Sequence, residues 1–174
     1  MSQALGITVD PAITMIWPSN PVPAIVDGGD PASAELGVKF KSDAAGFITS
    51  LRFYKSAANT GTHVGSLWSS TGQNLGTVTF TGETASGWQQ ANFATPVAIQ
   101  ANTVYVASYF APNGHYSGNL SYFLNEGVDS PPLHALADGV SGGDGVYGYG
   151  AAPAFPANTY RSLNYWVNVV FSTQ

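Results

Sequence analysis

Hydrophobic and polar residues alternate with a period of two in several short segments, and the period of an α-helix is nearly absent. In residues 34–40, AELGVKF, the alternation places Leu36, Val38 and Phe40 on one face. Successive side chains of a β-strand point to opposite faces, so this pattern predicts a strand with one face in a core. Similar alternation predicts further strands in residues 46–55, 67–80, 87–93, 103–110 and 164–171.

Two of these segments carry more detailed predictions. In the first, the alternation groups Phe47 on the same face as Leu51 and Phe53. In the second, residues 67–80, the turn-forming residues 70–72 interrupt the alternation. Two alternating runs joined by such a short turn predict a β-hairpin.

Turn-forming residues separate the predicted strands, in the segments DGGDP, SDAAG, TGETASG, APNGHYSGN and VSGGDG. The weak helical candidate, residues 131–139, fits a short strand and a turn equally well. About nine to eleven short strands at this spacing predict an all-β fold, an antiparallel, jelly-roll-like β-sandwich. We expect a single domain over residues 1–174, with residues 1–13 as a flexible or edge segment.

The composition narrows the class of partner. Charged residues make up 9% of the chain, whereas 44% are hydrophobic and 13% aromatic, a balance that predicts a folded domain and excludes disorder. Ten acidic residues against five basic ones give a net charge of −5, without a cluster of lysine or arginine. We therefore expect no nucleic-acid partner and no membrane insertion. The many small polar and aromatic residues favour a neutral, polar ligand.

The chain contains no cysteine, which excludes disulfides, thiolate metal sites and a cysteine nucleophile. Its first 20 residues lack the basic and apolar regions of a signal peptide, and no apolar run approaches the length of a membrane span. We expect a secreted or cell-surface protein whose signal has been removed, or one module of a longer chain.

A series of motifs spans residues 14–172: ELGVKF, GFITSLRFYK, NTGTHVGSLWSSTG, SGWQQANF, PVAI, YVASYFAPNGHYS, GVYGYG and NYWVNVVF. Together these motifs resemble an uncharacterised family of bacterial modules that is catalogued as a domain of unknown function. The most specific parts are GTHVGSLWSSTG and APNGHY. One departure is Gly148, where the family pattern carries a basic residue, so the ligand preference could differ if that residue contacts the ligand.

The resemblance implies an exported protein, since the family occurs in large exported proteins beside cadherin-like or immunoglobulin-like repeats and glycan-active enzymes. Such neighbours imply a non-catalytic role with a glycan or cell-surface polysaccharide as partner. Neighbouring domains, or further copies in a homo-oligomer, would add avidity. The family description identifies no functional residues, so the site is predicted from the residues themselves.

Loops at one end of a β-sandwich commonly form its binding site. His63 follows the turn NTGT, and Asn113, His115 and Tyr116 follow a predicted strand in PNGHY. Imidazole and carboxamide groups hydrogen-bond sugar hydroxyls, and an aromatic ring stacks on the apolar face of a sugar. We predict that these four residues converge in one ligand site. The alternative is that both histidines only fix their loops; a zinc site would lack a clear third ligand.

Aromatic residues supply three further ligand candidates. The alternation around Trp68 could place it on an outer sheet face, where an exposed indole would stack on a sugar. Tyr147 and Tyr149 are flanked by glycines in GDGVYGYG, which leaves them unshielded as contact residues. Packing in the core is the alternative for each of them. Of the other tryptophans, Trp88 is expected to pack in the core, Trp17 to close one end of the sandwich, and Trp166 to be either exposed or on a strand buried on both faces.

Three carboxylates form a candidate calcium site. Asp27, Asp30 and Glu35 lie close together in DGGDPASAE, beside carbonyl groups that glycines expose. Calcium binds about six to eight oxygen atoms of these kinds, so a structural calcium is possible. The spacing does not match an EF-hand, and turn-forming hydrogen bonds are the alternative. No other cofactor is required.

These observations favour a non-catalytic, carbohydrate-binding (lectin-like) module rather than an enzyme. The first alternative is a structural spacer or adhesion module whose aromatic residues all lie in the core. The second is a glycan-active hydrolase, which would need two carboxylates across a cleft. Most of the ten acidic residues fall in turns that explain them, and no serine-nucleophile or phosphate-loop motif is present.

Overall fold

The structure, a computed structural model, describes residues 12–174, so residues 1–11 of the predicted N-terminal segment lie outside the described residues. Residues 12–174 contain no α-helix, and hence none long and apolar enough to cross a membrane. They form twelve strands: β1 (Ile13–Met15), β2 (Ala34–Ser42), β3 (Gly46–Lys55), β4 (Val64–Ser69), β5 (Asn74–Thr79), β6 (Gly87–Ile99), β7 (Tyr105–Ala111), β8 (Val128–Ser130), β9 (Leu133–Ala135), β10 (Val146–Tyr149), β11 (Asn158–Thr159) and β12 (Val167–Ser172).

The strands form two antiparallel sheets that enclose a common core. The four-stranded sheet has the order β1-β12-β3-β6, and the eight-stranded sheet has the order β11-β10-β2-β7-β4-β5, with β8 and β9 joined beside β2. The predicted hairpin of residues 67–80 corresponds to the antiparallel pair of β4 and β5. The prediction of an all-β fold with an antiparallel β-sandwich is confirmed. The number of strands differs, because residues 12–174 contain twelve instead of nine to eleven.

The core lies between the sheets and is filled by alternate residues of their strands. Leu36, Val38 and Phe40 of β2 are buried in it, as their alternation predicts. Phe53 of the other sheet stacks on Tyr109 of β7, with ring centroids 4.0 Å apart. Burial of these large apolar groups supplies the main driving force for folding, because it removes their surface from water.

The prediction for Phe47 is wrong: this side chain is 37% exposed, whereas Leu51 and Phe53 are fully buried. The register between β3 and β6 shifts between Ile48 and Ser50, where a β-bulge interrupts the pairing. An extra residue at a bulge exchanges the two faces of a strand. Ile48 therefore takes the buried position that the alternation assigns to Phe47.

Three of the four tryptophans pack together in one aromatic cluster. The ring centroid of Trp166 lies 5.4 Å from that of Trp17, 5.4 Å from that of Tyr122 and 6.3 Å from that of Trp88. Each of the three indole N–H groups donates a hydrogen bond to an oxygen of the protein. The core alternative therefore holds for Trp17 and Trp166, which are buried, and Trp88 is half-buried against them.

His134 of β9 lies between two carboxylates, one in the turn between β2 and β3 and one in β8. Its Nδ1 is 2.6 Å from Asp129 Oδ1, and its Nε2 is 2.7 Å from Asp43 Oδ2. The hydrogen bonds with Asp129 and then with Asp43 raise the pKa of His134 above its ordinary value of 6.5. Protonated His134 therefore joins the β2–β3 turn to β8.

Replacing His134 with glutamine is expected to destabilise the protein more at acidic pH than at alkaline pH. Because its pKa is raised in the folded state, the contribution of His134 is complete below pH 6.5 and is lost as the pH rises through the folded pKa. At about pH 5.5 the variant should be less stable than wild type by less than about 1 kcal/mol in the free energy of unfolding. Thermal denaturation at a series of pH values should show the two melting temperatures converging as the pH rises to about 9. A difference that stays constant over this range would contradict the argument.

Candidate functional site

Five tyrosine side chains line a pocket beside β10. They are Tyr116, Tyr147, Tyr149, Tyr160 and Tyr165, and the cavity among them has a volume of about 180 Å³. Tyr165 is 2% exposed and forms the floor, whereas Tyr149 and Tyr160 are 59% and 50% exposed and form the rim. The pocket therefore has a closed aromatic base and an opening to solvent.

The period of the β-strand explains why β10 contributes two of these rings. Tyr147 and Tyr149 are two residues apart, so they point to the same face, and their ring centroids are 5.5 Å apart. They pair with Leu36 and Ala34 of β2, which are core residues, so the pocket continues the inner face of the sheet. Gly148 belongs to the other face, where a basic residue would point away from the pocket.

A carboxylate joins two rings of the pocket. Asp30 Oδ2 accepts hydrogen bonds from the hydroxyls of Tyr149 at 2.6 Å and Tyr116 at 3.2 Å, and Oδ1 accepts one from the backbone N–H of Ala32. Partial burial opposes ionisation, but these hydrogen bonds, that of Tyr149 above all, lower the pKa of Asp30 below its ordinary value of 3.8. Asp30 therefore carries a negative charge at neutral pH.

The hydroxyl of Tyr165 is free to bind a ligand. It has no hydrogen-bond partner within residues 12–174, although the residue is almost fully buried. Burial raises the pKa of both Tyr165 and Tyr116, and the hydrogen bond with Asp30 raises that of Tyr149. All three phenols therefore stay protonated at neutral pH, and the hydroxyl of Tyr165 can both donate and accept in the pocket.

His115 and Asn113 fix the loop that leads to the pocket. His115 Nδ1 lies 3.0 Å from Asp27 Oδ1, and the His115 backbone N–H donates to the carbonyl oxygen of Asp30 at 2.6 Å. The Asn113 Nδ2 donates to the carbonyl oxygen of Thr60 at 3.1 Å. Of the four residues predicted to converge, only Tyr116 lines the cavity. His115 and Asn113 hold the adjoining loop in place.

His63 lies in the core, contrary to the prediction that it shares an accessible site with His115. It is 0% exposed and packs against Phe53, with ring centroids 4.9 Å apart. Its Nδ1 is 2.8 Å from Glu83 Oε1, and its Nε2 is 2.8 Å from Asn59 Oδ1. Burial lowers the pKa of His63, and Glu83 offsets this only in part. Neither ring nitrogen is available to a ligand, so the structural alternative holds.

Trp68 lies on the outer face of β4, as its alternation predicts, but it does not form an exposed surface for stacking. Phe155 covers it, with ring centroids 5.8 Å apart, and Val106 and Val146 pack beside it. The indole N–H donates to Ser108 Oγ at 2.7 Å. A segment distant in sequence therefore converts this outer position into a small second core.

The chain also has a match among known protein families. A family model described as a domain of unknown function (DUF4082) matches residues 20–167. The chain belongs to this family. The resemblance drawn from its motifs is thus confirmed, and the matched range contains all five tyrosines of the pocket. No curated protein matches the chain.

The three carboxylates that predict calcium do not converge in this DUF4082 domain. Asp27 pairs with His115, whereas Asp30 binds the tyrosines. Glu35 is directed to the other face of β2, where it accepts a hydrogen bond from Ser108, and burial raises its pKa to about 7. Residues 12–174 contain no group of three histidine or acidic side chains that could hold a metal ion. Glu35 therefore cannot join Asp27 and Asp30 around one ion, and the binding of calcium by these two residues stays a prediction.

Sequence reasoning selected three tyrosines of the DUF4082 pocket and missed Tyr160 and Tyr165. Tyr165 belongs to the alternating segment before β12, where the pattern assigns it to a core face. Its contact with Tyr147, at 6.3 Å between ring centroids, joins segments that are distant in sequence. A local signal for the pocket existed only in the glycine-flanked tyrosines of β10.

Proposed function

We propose that the five-tyrosine pocket binds a saccharide and that the protein is a non-catalytic, carbohydrate-binding (lectin-like) module of an exported bacterial protein. The observation that carries this proposal is the Tyr165 hydroxyl, which has no hydrogen-bond partner within residues 12–174 and belongs to the buried base of an aromatic cavity. A sugar offers both complements to such a site, because its C–H face stacks on aromatic rings and its hydroxyls bind phenols.

The size of the pocket supports a short ligand. Its volume of about 180 Å³ lies below the range of about 300–1,000 Å³ that is usual for pockets of drug-sized ligands. One sugar residue, such as the end of a glycan chain, is therefore the appropriate occupant. Affinity for a single residue would be modest, and neighbouring copies in a longer protein or in a homo-oligomer would raise it through avidity.

Replacing Tyr165 with phenylalanine is expected to weaken saccharide binding about three- to tenfold, because it removes one hydrogen bond from a buried position. The ring remains, so the melting temperature should stay close to that of wild type. A glycan array identifies the saccharide, and isothermal titration with that saccharide measures the change. Tyr54→Phe is the matched control, because Tyr54 packs against Trp88 outside the pocket.

A folded wild-type domain that binds no saccharide on the array, with or without added calcium, would overturn the proposal. Equal affinities for wild type and Tyr165→Phe would place the saccharide at another surface.

The second candidate function is a structural spacer or adhesion module. Burial of Trp17, Trp68 and Trp166 favours it, because exposed tryptophans are a common element of sugar-binding surfaces and these three are engaged in packing. Absence of glycan binding combined with high thermal stability would support this function.

We do not propose a hydrolase. Among the carboxylates of residues 12–174, only Asp30 is hydrogen-bonded to tyrosines of the pocket, whereas a glycosidase uses a pair of carboxylates. Two further carboxylates near predicted ligand residues have partners of their own: Glu83 is bound to His63 and Lys55, and Asp27 to His115.

A further inference from the structure

The inner surface of the five-tyrosine pocket favours positive charge. Within residues 12–174, its lining consists of tyrosines and includes no lysine or arginine. The face of each aromatic ring carries the negative part of the ring quadrupole. Asp30 adds a carboxylate behind two of the rings, 2.6 Å from the Tyr149 hydroxyl and 3.2 Å from the Tyr116 hydroxyl. A cation in the pocket would therefore be attracted by both the rings and the carboxylate.

One ring of the pocket already attracts a cation of the protein itself. The guanidinium of Arg161 lies 5.5 Å from the centroid of the Tyr160 ring. This distance is within the limit of about 6 Å for a cation–π interaction. Both residues are exposed, so a ligand cation can displace the guanidinium without disturbing the core. The contact shows that the Tyr160 ring is accessible to a positively charged group.

We infer that the pocket selects ligands that carry an ammonium group and that its preferred saccharide is an amino sugar with a free, protonated amine. This inference rests on the proposed saccharide function. The ammonium group lies against the tyrosine faces on the side of Asp30, and the sugar hydroxyls reach the hydroxyl of Tyr165. Aromatic cages recognise quaternary ammonium ligands by the same physical interaction, so choline is a non-saccharide source of this chemistry.

Titration of the wild-type domain with five small ligands tests the inference. Glucosamine, N-acetylglucosamine, glucose, glucuronate and choline are compared by calorimetry at about pH 6, where an amine is protonated. Glucosamine is expected to bind about tenfold more tightly than glucose or N-acetylglucosamine, since a cation–π contact is absent from the neutral sugars. Glucuronate is expected to bind most weakly.

The ligand series separates failure of the inference from failure of the proposed function. Equal binding of glucosamine and glucose would overturn charge selection and leave the saccharide function intact. Binding of choline without any sugar would overturn the saccharide function and keep the recognition of ammonium. Preference for glucuronate would overturn the inference, as would absence of binding by all five ligands; the saccharide function falls with it only if the glycan array also shows no binding.

Two variants of opposite expected sign locate the charge effect in the pocket. Asp30→Asn is expected to weaken glucosamine binding about five- to tenfold, because it removes the charge that attracts the ammonium group. Glucose binding is expected to fall much less, since the hydrogen bond that the amide cannot replace affects both sugars alike. Glu126→Gln removes the same charge from an exposed loop and serves as its control.

Arg161→Gln is expected to strengthen glucosamine binding, because it releases the Tyr160 ring and removes a repelling charge. Arg161 is exposed, so this variant stays informative if Asp30→Asn unfolds; an unchanged or weaker affinity would overturn the inference.

Discussion

Replacing Trp166 with alanine is expected to lower the free energy of unfolding by about 3–5 kcal/mol. The residue is 3% exposed and contacts Trp17, Trp88 and Tyr122, with ring centroids 5.4–6.3 Å away. Its indole N–H donates to Asn119 Oδ1 at 2.9 Å. Truncation leaves a cavity among rigid rings that cannot close around it. Denaturation by urea, followed by far-ultraviolet circular dichroism, measures the loss.

The backbone of Trp166 allows packing and strain to be separated. Its φ of 57° lies in the left-handed region, which glycine adopts more readily than alanine. Trp166→Gly should therefore be more stable than Trp166→Ala by about 1–2 kcal/mol, yet far less stable than wild type. Leu120→Ala is the exposed control, with an expected change below about 0.5 kcal/mol. A loss for Trp166→Ala as small as that of Leu120→Ala would contradict the assignment of Trp166 to the core.

Replacing His63 with alanine is expected to lower the free energy of unfolding by about 3–4 kcal/mol. The change removes a ring that packs against Phe53 and Tyr109, with centroids 4.9 and 6.1 Å away. It also deprives Asn59 and Glu83 of a partner, and a polar group that loses its partner in the core destabilises the folded state. The same denaturation experiment measures the effect.

The binding of saccharide separates the structural role of His63 from the ligand role that the sequence predicts. Below the melting transition, His63→Ala is expected to bind the saccharide as wild type does, because His63 is not part of the pocket. His115→Asn is the control for the loss of stability, since it replaces the histidine that lies at the surface. Asparagine tolerates the positive φ of His115, so we expect the free energy of unfolding to fall by less than about 1 kcal/mol. A stable His63→Ala variant with impaired binding would restore the sequence-based prediction.

The predictions that succeeded depend on neighbouring residues along one strand. The alternation of Leu36, Val38 and Phe40 specifies a buried face because side chains of a strand point alternately to its two faces. The hairpin of β4 and β5 follows from a short turn between two alternating runs. Even here the rule fails at Phe47, because the bulge after Ile48 depends on how β3 pairs with β6 and β12.

The candidate site was predictable only in part, because its members meet across long distances in sequence. Tyr147 and Tyr149 were selected from their glycine-flanked setting, but Tyr165 completes the pocket from the segment before β12. Asp30 was selected as a metal ligand, yet its carboxylate binds two tyrosine hydroxyls. The residue types indicated which chemistry each side chain could perform, but the sequence did not indicate which partner each side chain would contact.

The sequence by itself determined the all-β class, the positions of the main strands, the acidic and weakly charged character, and membership in the DUF4082 family. Only the tertiary structure decided that His63 and Trp68 are covered and that five tyrosines surround one cavity. The physical reason is that a side chain's direction follows from the local period of its strand, whereas its exposure depends on which distant segment packs over it.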